Sequence, residues 1–246
     1  MQTFYFTDPG KVRSHNEDSV TILSNEYDEF ILAIADGMGG HKAGEIASSI
    51  AIEHITKRFY ELETLGTKEE AIDWLRLIVK EINNQIFKYA KNNPESKGLG
   101  TTLVIAIKTD DYVLYGNIGD SSGYVIKNNI LHKVTKDHTY VGMLITNGRL
   151  TEESAKNHPG KNLLTRALGA NDPIEIDIFD IDTSVKGLFL CSDGLTNMLT
   201  DEQIEKILNS NLPIEEAIVK LIRKANSRGG NDNISIAYLK KESGDR

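Results

Sequence analysis

The segment that most limits how this chain can fold is Ile31-Leu-Ala-Ile-Ala-Asp-Gly-Met-Gly-Gly-His41. Five consecutive apolar residues, short and partly branched, have the length of a buried strand and stop at Asp36. Gly37, Gly39 and Gly40 then allow the backbone to turn sharply before a helical pattern begins near Lys42. A carboxylate at the mouth of a buried strand is costly unless a cation faces it, which makes a metal ion the natural partner. Glycine beside it leaves room for a backbone carbonyl to reach the same ion. Three more aspartate-centred turns occur: Asn117-Ile-Gly-Asp120, Cys191-Ser-Asp-Gly194 and Gly230-Asn-Asp-Asn233. Any one of these reads equally well as an ordinary turn aspartate beside Gly or Asn. Four of them, each at or beside an apolar strand, do not.

The order of patterns argues for two sheets covered by pairs of helices. Strand-like segments at 3–7, 20–23 and 29–35 precede two helical patterns, 43–60 and 71–90. Thr67 and Glu70 fit a capping box opening the second helix. Strands follow at 101–108, 112–118, 122–127 and 130–134, with Asn128-Asn129 as a hairpin turn. A polar stretch at 137–160, broken at Gly142, Asn147-Gly148 and His158-Pro159-Gly160, reads as a flap. Strands at 174–181 and 187–190, helices at 201–209 (Thr200 as N-cap) and 214–227, and a strand at 234–239 complete the chain. Short turns favour antiparallel pairing, and helices arriving in pairs exclude a doubly wound sheet. The expected class is α+β: a four-layer α-β-β-α sandwich of two mostly antiparallel sheets flanked by helix pairs.

Bulk properties narrow the setting. The 246 residues show no linker, repeat or low-complexity tract, so one domain over 1–246 is expected. A net charge of −8 argues against nucleic-acid or anionic-lipid surfaces. The single cysteine, Cys191, cannot form an internal disulfide and suits a reducing compartment. The first ten residues lack a signal-peptide pattern, and no apolar run approaches the roughly 18 residues of a spanning helix. A cytoplasmic monomer, not inserted in a membrane, is expected.

Carboxylates gathered at strand ends, without a Cys or His cluster, form an oxygen-rich site suited to Mg²⁺ or Mn²⁺. Two such ions about 3.5–4 Å apart can clamp a phosphate oxygen and acidify a bridging water. Arg13-Ser-His-Asn-Glu-Asp18 adds a guanidinium able to grip phosphate with two donors, and Glu17 and Asp18 as acceptors for metal-bound waters. Taken alone, that charged run equally describes a solvated surface.

These segments, together with Gly10-Lys-Val-Arg13, Gly100-Thr-Thr102, Asn162-Leu-Leu-Thr-Arg-Ala-Leu-Gly169 and Ser192-Asp-Gly-Leu195, resemble the ordered motif set of the type 2C metal-dependent serine/threonine protein phosphatases. The resemblance runs from Thr7 to Leu239 and is greatest to bacterial single-domain members. It implies the same α-β-β-α sandwich, with the site at one end. It implies that Asp36 bridges two ions, that the Gly37 carbonyl binds one, and that Asp193 and Asp232 bind the other. Asp120 with Asp193 would form a third site. Arg13 would bind substrate phosphate, and Glu17 and Asp18 would act through metal-bound waters. The implied reaction is single-step attack of metal-activated water on phosphoserine or phosphothreonine in proteins. The implied partners are those phosphoproteins and a cognate membrane-anchored Ser/Thr kinase.

The chain departs from the family pattern at Met38, where eukaryotic members carry their general-acid histidine, leaving His41 as the nearby candidate. Ser122 replaces an arginine common in bacterial relatives, which bears on the third site. The flap is the expected seat of substrate preference, and Cys191 and His158 read as structural. Two other functions share the fold: a phosphoprotein-binding regulator without turnover, and a hydrolase of small phosphomonoesters. The intact carboxylates argue against the first; the second differs only in the surrounding surface.

Overall fold

Every strand pairing in the computed structural model is antiparallel, and the strands form two sheets. The structure describes residues 1–40, 43–96, 98–155 and 158–241. The elements run β1 (Gln2–Asp8), β2 (Asp18–Ser24), β3 (Phe30–Met38), α1 (Ala43–Tyr60), α2 (Lys68–Asn92), β4 (Gly100–Thr101), β5 (Leu103–Lys108), β6 (Val113–Ile118), β7 (Ser122–Lys127) and β8 (Ile130–Lys133). Next come α3 (Tyr140–Thr146), α4 (Glu152–Ala155), β9 (Asp177–Ile181), β10 (Gly187–Cys191), α5 (Asp193–Thr196), α6 (Asp201–Leu208), α7 (Ile214–Ser227) and β11 (Ile234–Lys240). One sheet has the order β1-β11-β10-β7-β8 and the other β2-β3-β5-β6-β9, with β4 pairing the end of β3.

Strand β3 shows why the layers stack as they do. Its side chains alternate between faces with the period of two of any strand. Leu32 and Ile34 pack with Val104, Tyr115, Leu188, Leu190 and Leu239 in the core between the sheets. Ile31, Ala33 and Ala35 instead join the core beneath α1 and α2, with Ile55, Leu75, Ile78 and Ile82. A strand buried on both faces must be apolar throughout, which explains the unbroken run. On the other sheet Phe189, Ile234, Ile236 and Tyr238 pack against Ile204, Ile218 and Leu221 of α6 and α7. The result is the four-layer α-β-β-α sandwich. Ile214, Ala217, Ile218, Leu221, Ile222 and Ala225 recur at helical spacing on the buried face of α7. Truncating a fully buried member such as Leu221 to Ala costs about 2–5 kcal/mol.

Local signals are realised where short-range chemistry decides. Thr67 caps α2 in a reciprocal capping box with Glu70. Asn128 and Asn129 both take positive φ, 54° and 63°, as a two-residue hairpin turn between twisted strands requires. Beyond shifts of one to three residues at several element ends, three boundaries differ from expectation around the strand ends that carry the aspartates. Strand β3 does not end at residue 35 but continues through Asp36 to Met38, because Gly37 and Met38 pair with Thr101 and Gly100. The expected strand 101–108 is split at Thr102. The expected strand 174–181 begins only at Asp177, where pairing with Asn117 starts. The short helix α5, unforeseen, begins at Asp193.

Candidate functional site

Asp36 is held by its backbone. Its N–H donates to Thr102 Oγ1 (3.0 Å), and its carbonyl accepts from Thr102 N (2.9 Å) and Thr101 Oγ1 (2.9 Å). Thr102 Oγ1 is itself hydrogen-bonded to Ser121 Oγ (2.8 Å), one residue past Asp120. The break between β4 and β5 thus places a hydroxyl that pins one candidate ligand and reaches the turn bearing another. Gly37 follows where nothing larger fits: an added Cβ would lie 2.1 Å from the Gly44 carbonyl oxygen and 2.5 Å from that of Glu17. That crowding brings the start of α1 and the Glu17 segment against the end of β3.

The other carboxylates arrive from distant parts of the chain. Asp193 opens α5 directly after β10, and its Oδ2 accepts from Asn197 Nδ2 (2.9 Å). Asp232 precedes β11; its Oδ2 meets Arg13 Nη2 at 2.9 Å and its Oδ1 accepts the Asn233 N–H. Asn233 staples the N-terminal segment in place. Its Oδ1 accepts the Glu17 N–H (2.8 Å), while its Nδ2 donates to the carbonyls of Pro9 and His15 (both 2.9 Å).

Arg13, Glu17, Asp36, Gly37, Asp120, Asp193 and Asp232 line one cleft of about 480 Å³, which residues 162–167 also line. Seven of the nine expected site residues therefore come together. Asp18 does not line the cleft. It is buried opposite Asp36 in the β2–β3 register, its Oδ2 accepting from Ser192 Oγ (2.8 Å). His41 lies outside the described residues. The flap closes later than residue 160, since Thr139 bridges Leu164 and the Thr165 N–H donates to the His138 carbonyl. Sequence reasoning assigned no role to Thr102, Ser192 or Asn233, although all three stood in quoted motifs; their partners are too distant in sequence for spacing to show.

Burial and mutual repulsion strain the charges here. Burial, then the neighbouring aspartates, lift the Asp36 carboxyl well above the usual range. Burial and Asp193 push Asp120 up to about 7. Burial and Asp232 push Asp193 up to about 6. Asp18 is raised to about 7, chiefly by burial, and its Oδ1 is buried without a hydrogen-bond partner among the described residues. Such a set is unfavourable as anions and favourable around a divalent cation. Among the described residues no three or more His, Cys, Asp or Glu side chains close into a ready-made metal cage. Mg²⁺-like ions take few carboxylates and keep waters and phosphate oxygens as their other ligands. The donor set, all oxygen and crowded with negative charge, fits such ions.

The family model for protein phosphatase 2C matches residues 11–235. The chain belongs to the protein phosphatase 2C family. It is 41% identical over 243 residues to the serine/threonine phosphatase stp of Listeria monocytogenes, covering 98% of this chain and 96% of that protein. It is 35% identical over 240 residues to the protein phosphatase PhpP of Streptococcus pneumoniae, covering 97% of each. Among solved structures, the S. agalactiae serine/threonine phosphatase superposes with a TM-score of 0.93 at 33% identity, over 98% of this chain and 99% of that one. The Mycobacterium tuberculosis phosphatase PstP/Ppp gives 0.86 at 33% identity, over 98% of both. This family of phosphatases is metal-dependent, in keeping with the oxygen-rich cleft.

Proposed function

We propose that the chain is a protein-serine/threonine phosphatase that hydrolyses phosphoserine and phosphothreonine in proteins with Mn²⁺ or Mg²⁺. The observation that carries the reading is the convergence of Asp36, Asp120, Asp193 and Asp232 with Arg13 in one cleft. Asp36 would bridge two ions, the Gly37 carbonyl would hold one, and Asp193 and Asp232 the other. Asp120 and Asp193 would hold a third. When bound, such ions supply positive charge against the phosphoryl oxygens and lower the pKa of water toward neutrality.

The chain's own groups do the rest. Arg13, kept at the cleft edge by Asp232, presents a planar fork to the substrate's phosphate oxygens. Glu17, its carboxyl raised by burial beside the cleft, would hold and orient waters, while Asp18, buried opposite Asp36 and bonded to Ser192, would act from behind that strand end rather than among the cleft waters. His41 is proposed to return the proton to the departing seryl or threonyl oxygen. Hydrolysis without a covalent phosphoenzyme accords with Cys191, whose thiol is fully buried and pushed far up in pKa by that burial. Ser122, at the base of β7, leaves the carboxylate set intact.

A single domain over 1–246, acting as a monomer in the cytoplasm against a membrane-anchored Ser/Thr kinase, completes the proposal. Among the described residues no helix is long and apolar enough to cross a membrane. The test is phosphate release from a phosphothreonine peptide with Mn²⁺, with Mg²⁺ and after EDTA, beside the same assay on a nucleotide. Release that EDTA abolishes and that favours the peptide is expected. No release under any metal supports the binding-regulator alternative, and preference for the nucleotide supports a small-phosphomonoester hydrolase.

A further inference from the structure

One histidine outside the cleft's carboxylates grips the turn that carries Asp120. Between β6 and β7 the chain reverses through Gly119, at φ 101°. The His138 N–H donates to the Gly119 carbonyl (2.9 Å), and the Gly119 N–H donates back to His138 Nδ1 (3.1 Å). Asn117 Nδ2 adds a second donor to the Gly119 carbonyl (3.2 Å) and ties it to the Lys136 carbonyl (2.8 Å). Because Nδ1 accepts, the ring proton lies on Nε2, which faces Asp177 Oδ2 at 3.1 Å. The other oxygen of Asp177 accepts from Arg166, a residue of the cleft wall that also donates to the Glu175 carbonyl. The imidazole is buried and clamped on both ring nitrogens.

Carboxylates that orient imidazoles are a common device around metal ions, where the histidine is the ligand. Here the oriented ring stands one step back, on the backbone amide next to a candidate ligand. Asp120 is repelled by Asp193 across the cleft, so its turn needs holding against relaxation away from the cluster. We propose that His138 is a positioning residue for Asp120, its ring orientation set by Asp177 and Arg166, so that the Asp120 carboxylate stays aimed into the cleft. This rests on the reading of Asp120 as a cation ligand.

Mn²⁺ binding to the full chain, followed by electron paramagnetic resonance of the free ion, tests it, with steady-state turnover of a phosphothreonine peptide alongside. H138A is expected to weaken, by about tenfold or more, the class of bound Mn²⁺ that D120N weakens, and to leave the other classes unchanged. Its kcat should fall while KM holds. H138N, whose amide oxygen can stand where Nδ1 does, should recover most of the loss, and D177N should fall between. A folded H138A with wild-type Mn²⁺ affinities overturns the proposal; should H138A not fold, wild-type Mn²⁺ affinities in D177N overturn it. A purely structural role would lower the melting temperature and leave binding as it is. D120N, measured in parallel, separates the two layers: if D120N itself binds Mn²⁺ like wild type, the ligand assignment has failed; if D120N loses a class of Mn²⁺ that H138A keeps, the positioning role has failed.

Discussion

Replacing Asp18 by asparagine should make the metal-free protein more stable at alkaline pH. In wild type the carboxyl is lifted from the ordinary 3.8 to about 7, chiefly by burial. At about 1.4 kcal/mol per pKa unit, keeping it ionised above pH 8 costs about 4 kcal/mol. The amide of D18N still accepts the Ser192 hydroxyl, but it puts an NH₂ where Asp18 Oδ1 now lies buried without a partner. An unpaired buried donor costs about 1–3 kcal/mol, which leaves a net gain of about 1–3 kcal/mol. For a chain of this size that raises Tm by about 3–10 °C. The sign depends on pH. A carboxylate with a raised folded-state pKa stabilises the fold below 3.8 relative to higher pH, and that contribution is lost as pH rises through about 7. At pH 5 the wild-type cost has shrunk to about 2 kcal/mol, and the advantage of D18N should vanish. Thermal unfolding of both proteins in EDTA at pH 8 and pH 5 measures it. A variant less stable than wild type at pH 8, or equally favoured at both pH values, refutes the reasoning that keeping this buried carboxylate ionised costs the metal-free fold stability.

Other perturbations separate the roles of the site. Asp193→Ala should abolish metal-dependent turnover, by at least about 100-fold, with far-ultraviolet circular dichroism unchanged, because Asp193 sits at a sheet end rather than in the core; near-wild-type rates would defeat its assignment as a ligand. Arg13→Ala should raise KM for a phosphopeptide about 10-fold or more, since a charge-assisted bond contributes about 1.5–3 kcal/mol. Stability should hold, as the Arg13–Asp232 pair is half-exposed. Thr102→Val should cost about 1–3 kcal/mol in urea unfolding by leaving the Asp36 N–H and the Ser121 hydroxyl without their partner, and should slow turnover as well. Loss of stability with full kcat would separate Thr102 from the aim of Asp36.

Legibility followed the range of the interactions. The two-faced burial of β3, the capping box at Thr67 and the Asn128-Asn129 turn are set by neighbours within a few residues, and each could be read directly. The four aspartates were legible because each sits beside Gly or Asn at one end of an apolar run, Asp232 at its start. Asp18 was expected among the waters of the cleft, yet it is buried against Ser192, 174 residues away in sequence. The partners of Thr102 and His138 escaped for the same reason: a threonine inside an expected strand and a histidine in a polar stretch, though Asp137-His138 matches a pair usual in the family, carry no local mark of what they will touch. The continuation of β3 through Asp36 was hidden because it depends on pairing with the two residues of β4, some 60 positions on.

Asn233 ties the carbonyls of Pro9 and His15 and the amide of Glu17 to the start of the last strand, and β1 is paired along its length with β11. Synthesis proceeds from the other end. A chain still emerging from the ribosome has Arg13, Glu17 and Asp36 but no Asp232, and the loop that carries Arg13 has nothing to fasten to. With Asp232 and Arg13 in the roles proposed, phosphatase chemistry would be withheld until residue 233 has been made, and a copy terminated before it would not strip phosphate from its neighbours.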